Sequence, residues 1–479
     1  MFSVHLDMKI NPQSKKITGV FKNMNHSILQ KQNPIVILGG GMAGLIAGTY
    51  IQQQGEKSII IEKSSKTGGS MKMSGGSIWC FKNHSDYKKI NPHGNTMLGE
   101  KLIDNFLPSI EWLISLGAPI KNVTAALYRE TDRHCYQMTP NSEYFTQFIT
   151  EKFLELGGEI IFNSNITQIK CNSNKLIEEI EIKTNSQIKS INCSSLILAT
   201  GGFHNNPTLK NEHFGKWSDK LIVRGNLYST GDGLKLATSL GAKKSKSMDS
   251  FYGHLMPAPP AEVPRNRFSE FTMYHSEHCL LLNEDGNRFT DESICDESNA
   301  EATIQQNNAI SYMIFDDKIY KKYGIKKSIS GEIINDPFKK SIEINALTTK
   351  ENSIQKLVET LSYWGVKKEA SLKNILGYND YLINKNTSSI SIPRAKNFNP
   401  IGTPPYYAIA LTTGITLTLG GLETNENAQV LNDKNIPIGN LYSIGGDSGG
   451  IYNHSYGGGL CLGLVFGKIA AGNAIKYHH

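Results

Sequence analysis

The chain has 479 residues, 39% of them hydrophobic and 19% charged, with a formal net charge of +7 carried by scattered lysines. That length allows two or three domains and a large buried core, and the composition is that of an ordinary globular protein. The absence of a long basic run speaks for a solvated surface and excludes nucleic acid as an expected partner.

Seven widely spaced cysteines form no CxxC pair. They argue against a disulfide framework or a metal site and for a reducing, cytoplasmic compartment. No run approaches eighteen apolar residues, so no membrane span is expected. Residues 1–32 include lysines but no continuous apolar stretch of the kind a secretory signal needs, and they read as an N-terminal extension.

The first strong signal is "NPIVILGGGMAGLIAGTYIQQQGEKSIIIEKSSKTGGS", residues 33–70. Ile35 to Leu38 predict a buried parallel strand, and Gly39, Gly41 and Gly44 follow on GxGxxG spacing. A helix rich in small residues then runs to Gly55, and Ser58 to Ile61 predict a second strand ending in Glu62. Gly39 permits a tight turn, Gly41 lets backbone approach a pyrophosphate, and Gly44 lets helix and strand touch. The helix start, with Met42 and Ala43, offers free N–H groups and a positive dipole end to phosphates. Glu62, followed by Lys63, stands where ribose hydroxyls are bound. A second glycine-rich loop with Gly68, Gly69, Ser70, Ser74, Gly75 and Gly76 comes directly after the acid. A nicotinamide dinucleotide needs no such loop. A longer cofactor lying over the sheet does, which points to FAD.

Further along, "DRHC" (132–135) is polar and carries no assigned role. "SSLILATGGF" (194–203) is a strand ending in Ala199, Thr200 and Gly201, and "YSTGDGLKLATSLGA" (228–242) is a Gly-Asp-Gly turn at Asp232 opening a helix. "NIPIGNLYSIGGDSGG" (435–450) is a strand from Leu441 to Ile444 running into Asp447. Gly459 and Leu460 then open a closing helix.

Taken in this order, the motifs resemble the FAD-binding flavoprotein family of fumarate reductases, succinate dehydrogenases, ketosteroid dehydrogenases and tricarballylate dehydrogenase. The similarity spans roughly residues 33 to 477. It implies an α/β fold with a Rossmann-like FAD-binding domain of the glutathione-reductase type and an inserted α+β capping domain. It also implies that the glycine turns above, together with Glu62, Thr200, Asp232 and Asp447, contact FAD. In some members a histidine after the ribose acid attaches the cofactor covalently; "KTGGSMKMSGGS" has none, so non-covalent FAD is expected. The discontinuous FAD domain is expected at 33–245 and 400–479, with 246–399 as the cap.

The implied reaction is hydride transfer between flavin N5 and a carbon–carbon bond next to a carbonyl or carboxylate of a small substrate. Electrons would pass to or from a separate partner. Fumarate and urocanate reductases carry a histidine and an arginine in the C-terminal motif. Laid on "GGIYNHSYGGGL", those fall at Tyr452 and Tyr456, and the place of the proton-donating arginine falls at His275. Both arginines are missing. "FYGHLM", "PPYYAIALTTGITLTLGGL" and "FGKIAAG" look most like the tricarballylate dehydrogenase branch. Tyr452, Tyr456, His254 and His275 are candidates for the proton, a tyrosine base requiring a depressed pKa and a histidine being poised near neutrality. Arg224, Arg394, Thr416 and His454 are candidates for the substrate, because a guanidinium grips carboxylate bidentately. A ketosteroid-type desaturase, a fumarate reductase-like enzyme and a flavin-binding protein without turnover stay open as alternatives.

Overall fold

The computed structural model describes residues 33–125, 129, 131–185, 187–327 and 333–478; the expected extension, 1–32, lies outside the described residues. The apolar runs Ile35–Leu38, Ser58–Ile61 and Ser195–Leu198 are almost wholly buried. That is the pattern of parallel strands covered on both faces. They form the middle of a sheet with strand order 429–431, 437–443, 195–198, 35–38, 58–61, 159–161. All pairings are parallel except that of the edge strand Gln429–Leu431. The strand expected at 441–444 is longer and earlier, Pro437–Ser443.

Two helices cover one face, and small residues let them meet. Met42–Gln53 follows the first glycine turn, and Gly459–His478 closes the chain. A Cβ on Gly467 would press on the Ala43 carbonyl and Ile46, and one on Gly463 on Met42. By length and composition the closing helix could cross a membrane, but over half of its most apolar window is buried in the protein, as in a core helix.

A second sheet is built on the long strand Tyr406–Thr418, which pairs with Ile222–Val223, Phe251–Pro257, Ser311–Asp316 and Thr348–Glu351. Its core gathers Leu255, Leu280, Met313, Phe315, Leu357, Ile375, Tyr378 and Ile409. Tyr406–Thr418 lies beyond the expected cap limit of 399 yet is bonded throughout into this sheet. One end of Tyr406–Thr418 and the start of Phe251–Pro257 return to the glycine turns, so these two strands carry side chains from the second core to the first.

The unassigned "DRHC" belongs to strand Arg133–Met138, paired with Ser77–Phe81. Arg133 places its guanidinium 4.9 Å from the centre of the Trp79 ring.

Candidate active site

A single elongated cavity of about 660 Å³ runs along the strand ends, within the usual range for ligand sites. Its floor is bare backbone. Gly39, Gly41, Gly69, Ser70, Ser74, Gly75 and Gly76 come from the N-terminal turns, and Ala199, Thr200, Gly201 and Gly202 from the middle strand. Gly445, Gly446, Gly459 and Leu460 come from the C-terminal region. The turns touch one another: Gly68 N–H donates to the Gly40 carbonyl at 2.8 Å, and a Cβ on Gly69 would lie 3.4 Å from Gly41 Cα. A Cβ on Gly41 or Gly75 meets nothing within 4 Å, so both open onto free space. Gly39, at φ +106°, is a different case, since a Cβ there would overlap the Ala199 carbonyl. Gly44 stands behind the wall, where a Cβ would overlap the Gly39 carbonyl.

Glu62 anchors one end. It accepts from Gly40 N–H at 2.7 Å and Ser64 N–H at 2.8 Å while lining the cavity. Lys63 bonds Asp232 at 2.9 Å and Thr230 at 2.8 Å, tying the second strand to the Gly-Asp-Gly turn. Ser164, Asn165 and Ile166 complete this end. No glycine or acid in their strand signals them in sequence.

These features were met by one comparison. Residues 34–462 match the family model described as an FAD binding domain. The chain belongs to that family. It is a flavoprotein and an FAD-dependent oxidoreductase. It is similar to a probable fumarate reductase of Shewanella frigidimarina, 23% identical over 92% of this chain and 75% of the relative. It is also similar to the vinyl phenol reductase of Lactiplantibacillus plantarum, 24% identical over 93% and 97%. Among solved structures, the 3-ketosteroid Δ1-dehydrogenase of Sterolibacterium denitrificans shares the fold at a TM-score of 0.74 and 17% identity, over 92% of this chain and 99% of that one.

The flavoprotein's residues suit the cofactor: the open glycine backbone and the N-terminus of Met42–Gln53 would cradle its phosphates, and Glu62 its ribose. Bound FAD supplies or accepts the hydride.

The other end of the cavity is aromatic and cationic. Tyr252 stacks on Tyr456 with ring centres 3.8 Å apart, and Trp79 and Tyr452 each meet Tyr456 at 6.0 Å. Tyr456 Oη accepts from Gly459 N–H at 2.5 Å, capping the closing helix, and Tyr452 Oη donates to the Gly458 carbonyl at 3.2 Å. Burial pushes all three phenols well above their ordinary range. A tyrosine base would have to act against that shift, because burial disfavours the phenolate.

Arg224 is 4% exposed, lines the cavity, and leaves Nε and Nη1 without a partner. Its guanidinium lies 4.5 Å from the centre of the Phe268 ring. Thr416, also lining the cavity, has a buried hydroxyl without a partner. Both expectations place the residue where a substrate would lie. Sequence reasoning missed Tyr252, Tyr274, Phe268 and His204 as lining residues.

Five expected residues lie elsewhere. Arg394 is fully buried in the second core, 3.3 Å from Glu292, which also pairs with Arg288. It is a structural partner and does not reach the cavity. His275 packs edge-on against Phe315, and burial lowers its pKa to about 4. His454 bonds Glu301 at 2.7 Å in a separate small cavity. Asp447 turns its carboxylate onto Thr200, accepting from both the backbone N–H and, at 2.9 Å, Oγ1. It thus positions a lining residue without lining the site itself. His254 stands just behind the wall formed by Tyr252 and Tyr274.

Proposed function

We propose that this flavoprotein reduces a carbon–carbon double bond conjugated to a carboxylate, with Arg224 and Thr416 holding the acid. The observation that carries the proposal is the buried, unpartnered guanidinium of Arg224. Two buried donors, Nε and Nη1, find no acceptor among the described residues, which is costly, and a carboxylate is the ligand whose two oxygens that N–H fork matches. A hydrophobic ketone, the alternative suggested by the steroid dehydrogenase fold, would leave that charge unpaired. Among the described residues, the cationic side chains lining the cavity are Arg224 and Lys63, and Lys63 already pairs with Asp232. One carboxylate therefore suits the site better than a tricarballylate. The named activities of the relatives, fumarate and vinyl phenol reduction, also concern conjugated double bonds.

On this reading FAD is held without a covalent bond and electrons arrive from a separate donor. The cap comprises 246–399 together with strand Tyr406–Thr418, and the protein works in the cytoplasm. The test is anaerobic reoxidation of the reduced holoenzyme by acrylate, 3-phenylacrylate, their methyl esters and a steroid enone. The acids should reoxidise the flavin at least 100-fold faster than the esters. Equal rates for acid and ester would remove Arg224 from the reaction and return the hydrophobic ketone.

A further inference from the structure

Reduction of a double bond needs a proton as well as a hydride, and the buried phenols are poor sources. Behind the aromatic wall lies a connected set of ionisable groups. His254 is 3% exposed, and its ring sits 4.8 Å from both Tyr252 and Tyr274, each of which lines the cavity. Its Nδ1 is 2.6 Å from Asp296 Oδ2, while its Nε2 is buried and meets no protein partner. Asp296 stands next to Glu297, which pairs with Arg129. The charged groups acting on the pair come from several elements: Arg224, Arg129, Glu297 and Glu277.

We propose that His254 and Asp296 deliver the proton in this site, His254 from Nε2 to the substrate carbon and Asp296 by refilling Nδ1. This rests on the carboxylate reading above. The proton balance is closed. Hydride and its two electrons, supplied by the reduced cofactor, add to the β-carbon of the unsaturated acid. The electron pair left at the α-carbon takes the Nε2 proton, Nδ1 takes the Asp296 proton, and Asp296 ends as a carboxylate. The imidazole stays neutral throughout, which agrees with burial lowering its pKa to about 3. What favours this route over a phenol is the buried, unpartnered Nε2 directly behind two rings that line the cavity.

Burial raises Asp296 to about 6, so its proton is present below that value and lost as pH rises through it. Two measurements decide the proposal. Infrared spectra of the holoenzyme should show a protonated carboxyl band that disappears with a midpoint near pH 6 and is missing in Asp296→Asn. Single-turnover reoxidation by acrylate should fall about tenfold per pH unit above that midpoint, and both Asp296→Asn and His254→Phe should slow it by about 100-fold or more without weakening acid binding. Asp296→Glu should restore part of the rate with a displaced pH profile, which a merely structural residue would not do. An Asp296→Asn enzyme with the parental rate and profile, or an unchanged carboxyl band, would overturn the proposal. If wild-type enzyme failed to bind the acids at all, the carboxylate reading would fall, while the infrared band would still judge the pair.

Discussion

Replacing Arg224 by Met separates binding from folding, because the two should move in opposite directions. In the substrate-free protein the side chain leaves Nε and Nη1 buried without acceptors. Each such donor costs about 1–3 kcal/mol, and the guanidinium recovers about 0.5–2 kcal/mol from the face of Phe268. Met keeps an unbranched stem over Gly414, where the arginine now runs. The variant should therefore be as stable as the parent or melt higher by a few degrees. Ligand binding should suffer: two charge-assisted hydrogen bonds at about 1.5–3 kcal/mol each amount to at least about 100-fold in Kd. Calorimetric titration of the oxidised holoenzyme with propionate and propionamide, beside thermal melts followed by flavin fluorescence, measures both. Parent enzyme should prefer the acid, and Arg224→Met should bind both alike. A variant that melts several degrees lower with unchanged acid affinity would refute the reasoning and make Arg224 a packing residue.

Gly41→Ala should fold normally yet lose at least about tenfold in FAD affinity, since its Cβ would occupy space that backbone now leaves to the cofactor; Gly44→Ala, pressed on the Gly39 carbonyl, should lower soluble yield instead. Arg394→Met leaves Glu292 paired with Arg288 but takes the donors from the Cys279 and Lys396 carbonyls, and should cost about 1–3 kcal/mol of stability with no selective change in substrate affinity. Tyr456→Phe removes the acceptor of Gly459 N–H and should cost about 1 kcal/mol and less than about tenfold in turnover; a 100-fold loss at full FAD occupancy would hand the proton to that phenol. Burial raises Asp447 to about 7, above its unfolded value, so the folded state binds the extra proton and stability falls as pH rises from about 4 to 7. Asp447→Asn should flatten that fall in melts run between pH 5 and 8.

What sequence reveals here follows the range of each constraint. Gly39, Gly41 and Gly44 could be read directly because turn, open backbone and helix contact are decided within six residues, and the structure puts each where its spacing requires. Arg224 and Arg394 could not be told apart, since both follow apolar segments. What separates them is Glu292, 102 residues before Arg394 and bonded to it, with nothing comparable beside the Arg224 nitrogens. Asp296 gave no local signal at all: its meaning depends on His254, 42 residues earlier, which the packing of helix Asp296–Ile304 on strand Phe251–Pro257 brings within reach. Asp447 has a partner that sequence did not show. An acid after a glycine turn reads as a ligand group, but here the buried carboxylate turns inward to Thr200. Tyr406–Thr418 looks in sequence like the return to the first domain, whereas its hydrogen bonds run to the second sheet.

The two cores contribute different kinds of group to the proposed site. The first core contributes backbone, whose job is to lie flat against a cofactor and whose chemistry is the same in either direction. Strands Phe251–Pro257 and Tyr406–Thr418 and their neighbours contribute the side chains proposed to act on the acid: Arg224, Thr416, His254 and Asp296. Apart from Arg224, the ionisable groups there share one property: they are buried enough to resist carrying charge. Tyr252 and Tyr456 are held as phenols, His254 as neutral imidazole, and Asp296 with its proton retained to higher pH than an exposed carboxyl. Giving a proton to a carbanion-like carbon requires protonated donors in a dry setting beside a fixed cation, which Arg224 supplies.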